Sequence, residues 1–158
     1  MKKNPLLLLL LFSFAFVVSS CKKDDDPAPP PPVVGKWNLD QVVLSGFSGD
    51  FQPYNGTYEP SAFRFNYTST LTADKKFTYR NSDGVTIDQG SGTWEYTGTT
   101  LTLNYDNGDT ETYTYTNNQT SQQLAQEPIR GTFTLPNPKT ETPEPASGSL
   151  QFIYAKQP

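Results

Sequence analysis

From residue 33 onward, apolar and polar side chains take turns with a period of two. Gly35 to Leu44 sets Trp37, Leu39, Gln41 and Val43 against Lys36, Asn38 and Asp40. Phe63 to Leu71 sets Phe63, Phe65, Tyr67 and Leu71 against Arg64, Asn66, Thr68 and Thr70. Phe77 and Tyr79 alternate with Lys76, Thr78 and Arg80, and Trp94 and Tyr96 with Thr93 and Glu95. Such alternation puts one face of a strand in a core and the other in water. No long stretch keeps a 3.6-residue apolar period, and Gly, Asn-Gly and Asp-Gly signals recur at short intervals, so the class is all-β.

Leu101 to Tyr115 is the best-defined hairpin, and its turn decides which side chains share a face. A two-residue Asn107-Gly108 loop would put Tyr113 and Tyr115 opposite Leu101, Leu103 and Tyr105. A three-residue loop with Gly108 left-handed puts all five together. The second is expected, because a one-residue slip would carry an apolar set to the solvent side. Further strands are expected at about Gln123 to Ile129 and Leu150 to Lys156. Pro136 to Ser147, with Pro136, Pro138, Pro143 and Pro145, is expected to be a loop. Gly46 to Pro60 is a second long connection, unusual in carrying Phe47, Phe51, Tyr54 and Tyr58. About eight short antiparallel strands fit either an up-and-down barrel or a two-sheet sandwich.

The first 32 residues have a different character. Met1-Lys2-Lys3 is basic, and Leu6 to Val18 is apolar but shorter than the roughly 20 residues of a membrane-spanning helix. Ser19-Ser20 precede Cys21, the chain's one cysteine. This order resembles the signal of bacterial lipoproteins, although Val18 and Ser20 depart from its commonest form, which has Leu and then Gly or Ala at those places. The resemblance implies cleavage after residue 20 and acylation of Cys21. Lys22-Lys23-Asp24-Asp25-Asp26 resembles the acidic export tag of surface lipoproteins of the Bacteroidota. Lys22 to Pro32, ending in four prolines, reads as a semi-rigid spacer at about 3.1 Å per residue. The expected organisation is a signal peptide at 1–20, a lipid-anchored Asp/Pro-rich tether at 21–32 and one domain at 33–158. The expected address is the outer membrane, lipid-anchored and surface-exposed, with a periplasm-facing orientation as the alternative.

Composition narrows the chemistry. The chain has no histidine and one cysteine, so Cys–His and Ser–His–Asp catalysis and the ordinary His/Cys zinc sites are excluded, and no internal disulfide can form. Beyond residue 20 the 16 acidic residues outnumber 10 basic ones, a balance of −6 that argues against nucleic acid as a partner. Asp106-Asn107-Gly108-Asp109 lacks the ligand spacing of a calcium loop and reads as turn chemistry. No catalytic residue, metal or cofactor is expected.

One ordered series bears on the choice between barrel and sandwich. Gly35-Lys36-Trp37 opens the first strand, and Leu71 to Tyr79 (LTADKKFTY) reads strand–turn–strand. Ser91 to Tyr96 (SGTWEY) and Thr100 to Leu103 (TLTL) follow, and Leu150 to Tyr154 closes the chain. This series is similar to the lipocalin-like lipoproteins of Gram-negative bacteria, over nearly all of the chain from Gly35. The resemblance implies an eight-stranded antiparallel up-and-down barrel with one closed and one open end, the β-sandwich being the alternative. Lipocalins pack a basic residue near the last strand across the first-strand tryptophan. The nearest ones here are Arg130 and Lys156, neither in a recognisable motif. The residues expected to line a ligand pocket are Trp37, Phe65, Tyr67, Phe77, Tyr79, Trp94, Tyr96, Tyr113 and Tyr115, with Leu39 and Leu103 also inward. The competing reading is that these rings simply fill the barrel, since eight strands enclose little more than their own side chains.

The function expected is a membrane-anchored, non-catalytic lipocalin-like domain binding a small apolar or amphipathic molecule. Two alternatives stand beside it. One is an interaction or inhibitor module that meets an envelope protein through Gly46 to Pro60 or Pro136 to Ser147. The other is a carbohydrate-binding sandwich with Trp94, Tyr96 or Tyr105 exposed as a stacking platform.

Overall fold

A computed structural model of the chain describes residues 29–118 and 120–158. The signal peptide, Cys21 and the tether up to residue 28 lie outside the described residues. Ten strands follow in order: β1 (Gly35–Ser45), β2 (Gly56–Tyr58), β3 (Asn66–Leu71), β4 (Lys76–Ser82), β5 (Ile87–Thr97), β6 (Thr100–Tyr105), β7 (Thr110–Asn118), β8 (Ser121–Gln126), β9 (Ile129–Pro136) and β10 (Pro143–Lys156). All pairings are antiparallel. β1 pairs with β3, each strand from β3 to β7 pairs with the next, β8 pairs with β10, and β10 returns to β1. Eight strands therefore close into a barrel, which settles the choice against a sandwich.

β2 and β9 lie outside that ring. β1 and β10 are long, and their outer halves run on past the barrel wall. There β2 takes the edge of β1 that β3 has left (Val42↔Tyr58), and β9 takes the edge of β10 that β8 has left (Leu150↔Ile129). The result is a four-stranded flap, β2–β1–β10–β9, standing at one end of the barrel. It has its own apolar cluster of Leu44, Phe47 and Ala146, with Tyr54, Phe63 and Phe133 packed around them.

This flap corrects two expectations. Residues 143–147 are strand, not loop: β9 and β10 form a hairpin that keeps Pro143 opposite Pro136 and Pro145 opposite Thr134. Proline is tolerated there because β10 meets β1 only from Ser149 onward, so its first half has an unpaired side where a missing N–H costs nothing. Gly46 to Pro60 is likewise structured, with 3₁₀ turns at Gly49–Tyr54 and Pro60–Phe63 flanking β2. The second turn removes Phe63 from β3, and Arg64 adopts a left-handed φ of 60° before the strand starts. The two segments pack on each other, with the Tyr54 hydroxyl donating to the Pro136 carbonyl at 2.6 Å and Lys139 Nζ 2.7 Å from Asp50 Oδ1.

The alternation in β1 also changes phase. A bulge falls between Leu39 and Gln41, so one extra residue turns the strand over. Trp37 and Leu39 face the barrel axis, but beyond the bulge Val42 and Leu44 are buried in place of the expected Gln41 and Val43. The hairpin of β6 and β7 takes the three-residue turn: Gly108 sits at φ 94°, its N–H bonds the Tyr105 carbonyl, and Tyr105 N–H bonds the Asp109 carbonyl. Leu101 then faces Tyr113, and Leu101, Leu103, Tyr105, Tyr113 and Tyr115 share the inner face.

The end where β1 starts is closed by large rings. Trp37 and Val33 are wholly buried, and Trp37 Nε1 donates to the Val33 carbonyl at 2.8 Å. Trp94, 2% exposed, sends its Nε1 to the carbonyls of Thr72 and Lys76, each at 3.1 Å. Tyr115 stands edge-on between Trp37 and Tyr96. Opposite Trp37 in the ladder is Lys156, whose Nζ lies 5.9 Å from the ring centre and donates to the Pro32 carbonyl at 2.7 Å. Lys156, and not Arg130, is thus the basic residue across the first-strand tryptophan. β5 makes room for aromatic rings with glycines: Gly92 is opposite Phe77 and Gly90 opposite Tyr79.

Candidate functional site

Above the plug formed by Trp37, Phe77, Trp94 and Tyr115, the barrel is not filled. A cavity of about 150 Å³ lies between the walls and opens toward the flap end. Leu71, Leu101, Leu103 and Leu124 line its deeper part, and the rings of Tyr67, Tyr79, Tyr105, Tyr113, Phe152 and Tyr154 surround it. Ile129, which lines the cavity, is half exposed; Val85 in the β4–β5 turn and Ile87 at the start of β5 are exposed as well. An engineered cavity of that volume in another protein, lined by apolar side chains, holds one benzene molecule.

The nine anticipated pocket residues divide into three sets. Tyr67, Tyr79 and Tyr113 line the cavity. Trp37, Phe77, Trp94 and Tyr115 are buried below it as packing, and Tyr96 packs against the same cluster. Phe65 precedes β3 and is sandwiched between Phe63 and Tyr67, with ring centres 5.6 and 5.1 Å away, so it stands outside the lining. Some of these rings therefore line a cavity and others fill the barrel, at different heights. The stacking-platform alternative fails here, because Trp94 is buried and Tyr105 points inward.

The polar chemistry of the cavity sits at Glu111, near the start of β7. Glu111 has the same parity as Tyr113 and Tyr115 and faces inward with them, opposite Leu103. Tyr105 and Tyr113 both donate their hydroxyls to one carboxylate oxygen, Oε2, each at 2.6 Å. Two donors at that length on one oxygen have the geometry of charge-assisted hydrogen bonds. Burial first, and then the Glu111 carboxylate, push the Tyr105 hydroxyl far above its ordinary range. Burial likewise pushes up Tyr113, followed by its neighbours Tyr154 and Tyr105, and burial followed by Glu111 pushes up Tyr154. These phenols stay protonated and remain donors. Gln126, opposite Tyr113 on β8, also lines the cavity, and its buried Oε1 has no hydrogen-bond partner among the described residues.

Glu111, Gln126, Tyr105 and Tyr154 were not among the residues expected to line the pocket, although Tyr105 was expected on the inner face. For Glu111 the signal was present: in Glu111-Thr112-Tyr113-Thr114-Tyr115 it falls two residues before an inward tyrosine. Its charge argued for solvent, and only the hydroxyls of Tyr105, across the turn, and of Tyr113, on the same strand, make its partial burial tolerable.

A family model described as a lipocalin-like domain matches residues 33–125, which run from the plug residue Val33 into β8. No curated protein matches the chain significantly.

Proposed function

The chain belongs to the lipocalin-like domain family, and from that premise we propose that it holds a small, partly apolar ligand in the barrel without transforming it. The observation that supports this most strongly is the cavity of about 150 Å³ above the aromatic plug, open at one end and walled by leucines and tyrosines. A filled barrel would have continued the packing of Trp37, Phe77 and Trp94 to the mouth. The half-exposed Ile129 in the cavity lining favours entry of an apolar body. The interaction-module reading has less support, because the two segments that would carry it use their rings on one another.

The leader supports a lipid anchor at Cys21 in the outer membrane, displayed outward by the acidic tag. Pro31 and Pro32 reach the domain at the plugged end, where the Pro31 carbonyl accepts from Val34 N–H and the Pro32 carbonyl from Lys156. Anchored there, the domain would hold its mouth away from the bilayer and toward whatever diffuses past. Replacement of Cys21 by serine is expected to abolish incorporation of labelled fatty acid and release the protein from membranes; retention of the label would refute the anchor.

Native mass spectrometry and thermal shift against a panel of apolar and amphipathic metabolites test the binding reading. A ligand is expected to raise the melting temperature of the wild type and not that of Leu124→Trp, which puts an indole into the cavity. A panel without effect on the wild type, or with equal effect on both proteins, would refute it.

A further inference from the structure

The cavity has an electrostatic sign. Its one formal charge is the Glu111 carboxylate, and among the described residues no lysine or arginine lines it. Both phenol donors converge on Oε2 of that carboxylate, which leaves Oε1 with no hydrogen bond from the protein among the described residues. A carboxylate has about four lone-pair sites, so at least half of its accepting capacity is unused. The neighbouring wall adds a second acceptor, the unpartnered Oε1 of Gln126. An acceptor buried without a partner costs free energy unless a donor arrives.

We infer that the ligand is an amine: a compact apolar body, preferably one aromatic ring, carrying a protonated ammonium that donates to Glu111 and Gln126. This rests on the cavity being a ligand chamber, as proposed above, and adds the chemical class of its occupant. The ring sits against Leu101, Leu103 and Leu124, and the ammonium sits higher, at the level of Glu111 near the start of β7. A tyrosine-rich wall suits such a head group further, because a cation is attracted to the faces of the rings around it. Molecules with an anionic head are disfavoured, since a second carboxylate would be placed beside the first with no cation to separate them.

Three probes of matched shape separate the class from the chamber: phenethylamine, 2-phenylethanol and 3-phenylpropionate, titrated calorimetrically into the purified domain. The amine is expected to bind tightest, by about tenfold over the alcohol, the scale of one charge-assisted hydrogen bond. Glu111→Gln keeps the shape and an acceptor for Tyr105 and Tyr113 but removes the charge. It is expected to erase the advantage of the amine over the alcohol. Gln126→Met serves as a second variant that leaves the tyrosine–carboxylate cluster intact, and it is expected to weaken the amine several-fold. Equal or tighter binding of the propionate, or an amine affinity indifferent to both substitutions, would overturn the inference while leaving the chamber standing. Failure of all three probes to bind the wild type would overturn the chamber and the inference together.

Discussion

Raising the pH tests the tyrosine cluster directly. Tyr113 and Tyr154 are phenols whose folded-state pKa lies above the unfolded value of 10.0, mainly through burial. The unfolded chain therefore releases these two protons while the folded chain keeps them. Stability from this source is complete below pH 10 and is lost progressively as the pH rises above it. One unit of pH is 1.36 kcal/mol per proton, so at about pH 11 these two phenols alone remove about 3 kcal/mol, and the less buried Tyr105 adds to the loss. Against a total of roughly 5–15 kcal/mol for a domain, that loss is large enough to lower the urea midpoint visibly. Urea unfolding followed by circular dichroism across pH 8 to about pH 11.5 measures it, with tyrosinate absorbance recorded in parallel. Tyr113→Phe is the control. It costs about 1.5–3 kcal/mol at neutral pH by removing a donor to Glu111, but its alkaline slope should be shallower by about 1.4 kcal/mol per pH unit. Equal slopes in the two proteins, or reversible ionisation of every tyrosine near pH 10 with the fold intact, would refute the argument.

Other perturbations act at separate places. Trp94→Phe keeps most of the ring but removes the donor shared by the Thr72 and Lys76 carbonyls, and should cost about 1–3 kcal/mol in chemical denaturation. Gly92→Ala would push a methyl group into the Asn104 carbonyl oxygen and to 2.6 Å from the Phe77 ring, so it should destabilise the barrel by more than about 1–3 kcal/mol, read by the same denaturation. Gly148→Ala meets Phe47 at 2.5 Å and should loosen the flap, raising amide exchange in β2 and β9 while exchange in β5 to β7 stays slow. Lys156→Met removes the bond to the Pro32 carbonyl and the contact over Trp37, and should lower the melting temperature by a few degrees, for a loss of about 1 kcal/mol.

The barrel was legible wherever one strand face was consistently apolar. Phe77 with Tyr79 and Trp94 with Tyr96 announced inward faces, and the glycine of Asp106-Asn107-Gly108 fixed the turn that brought Tyr105, Tyr113 and Tyr115 together. Two features hid from the pattern for definite reasons. Pro143 and Pro145 read as loop because proline is barred from paired strands, yet an unpaired edge admits it. The bulge at residues 39–41 carries no glycine to mark it, so a phase change looked like continued alternation. The candidate site was legible as a ring of aromatics but not in its depth. Sequence alternation says which residues point to the axis; it does not say at which height the axis is blocked. Trp37 and Tyr67 point the same way, and only the indole's bond to Val33 and the Lys156 ammonium above its ring make one of them a floor.

The single extra residue in β1 makes one strand serve two interiors half a pleat out of step. Deleting Asp40 would not be a local change: everything beyond it would rotate by half a turn, sending Val42 and Leu44 to water and Gln41 and Val43 inward. The flap would lose its lining at a stroke, while Trp37 and Leu39, upstream of the cut, would keep theirs. The molecule thus carries a joint in β1 between its flap and its barrel, so that the phase of one can change without that of the other.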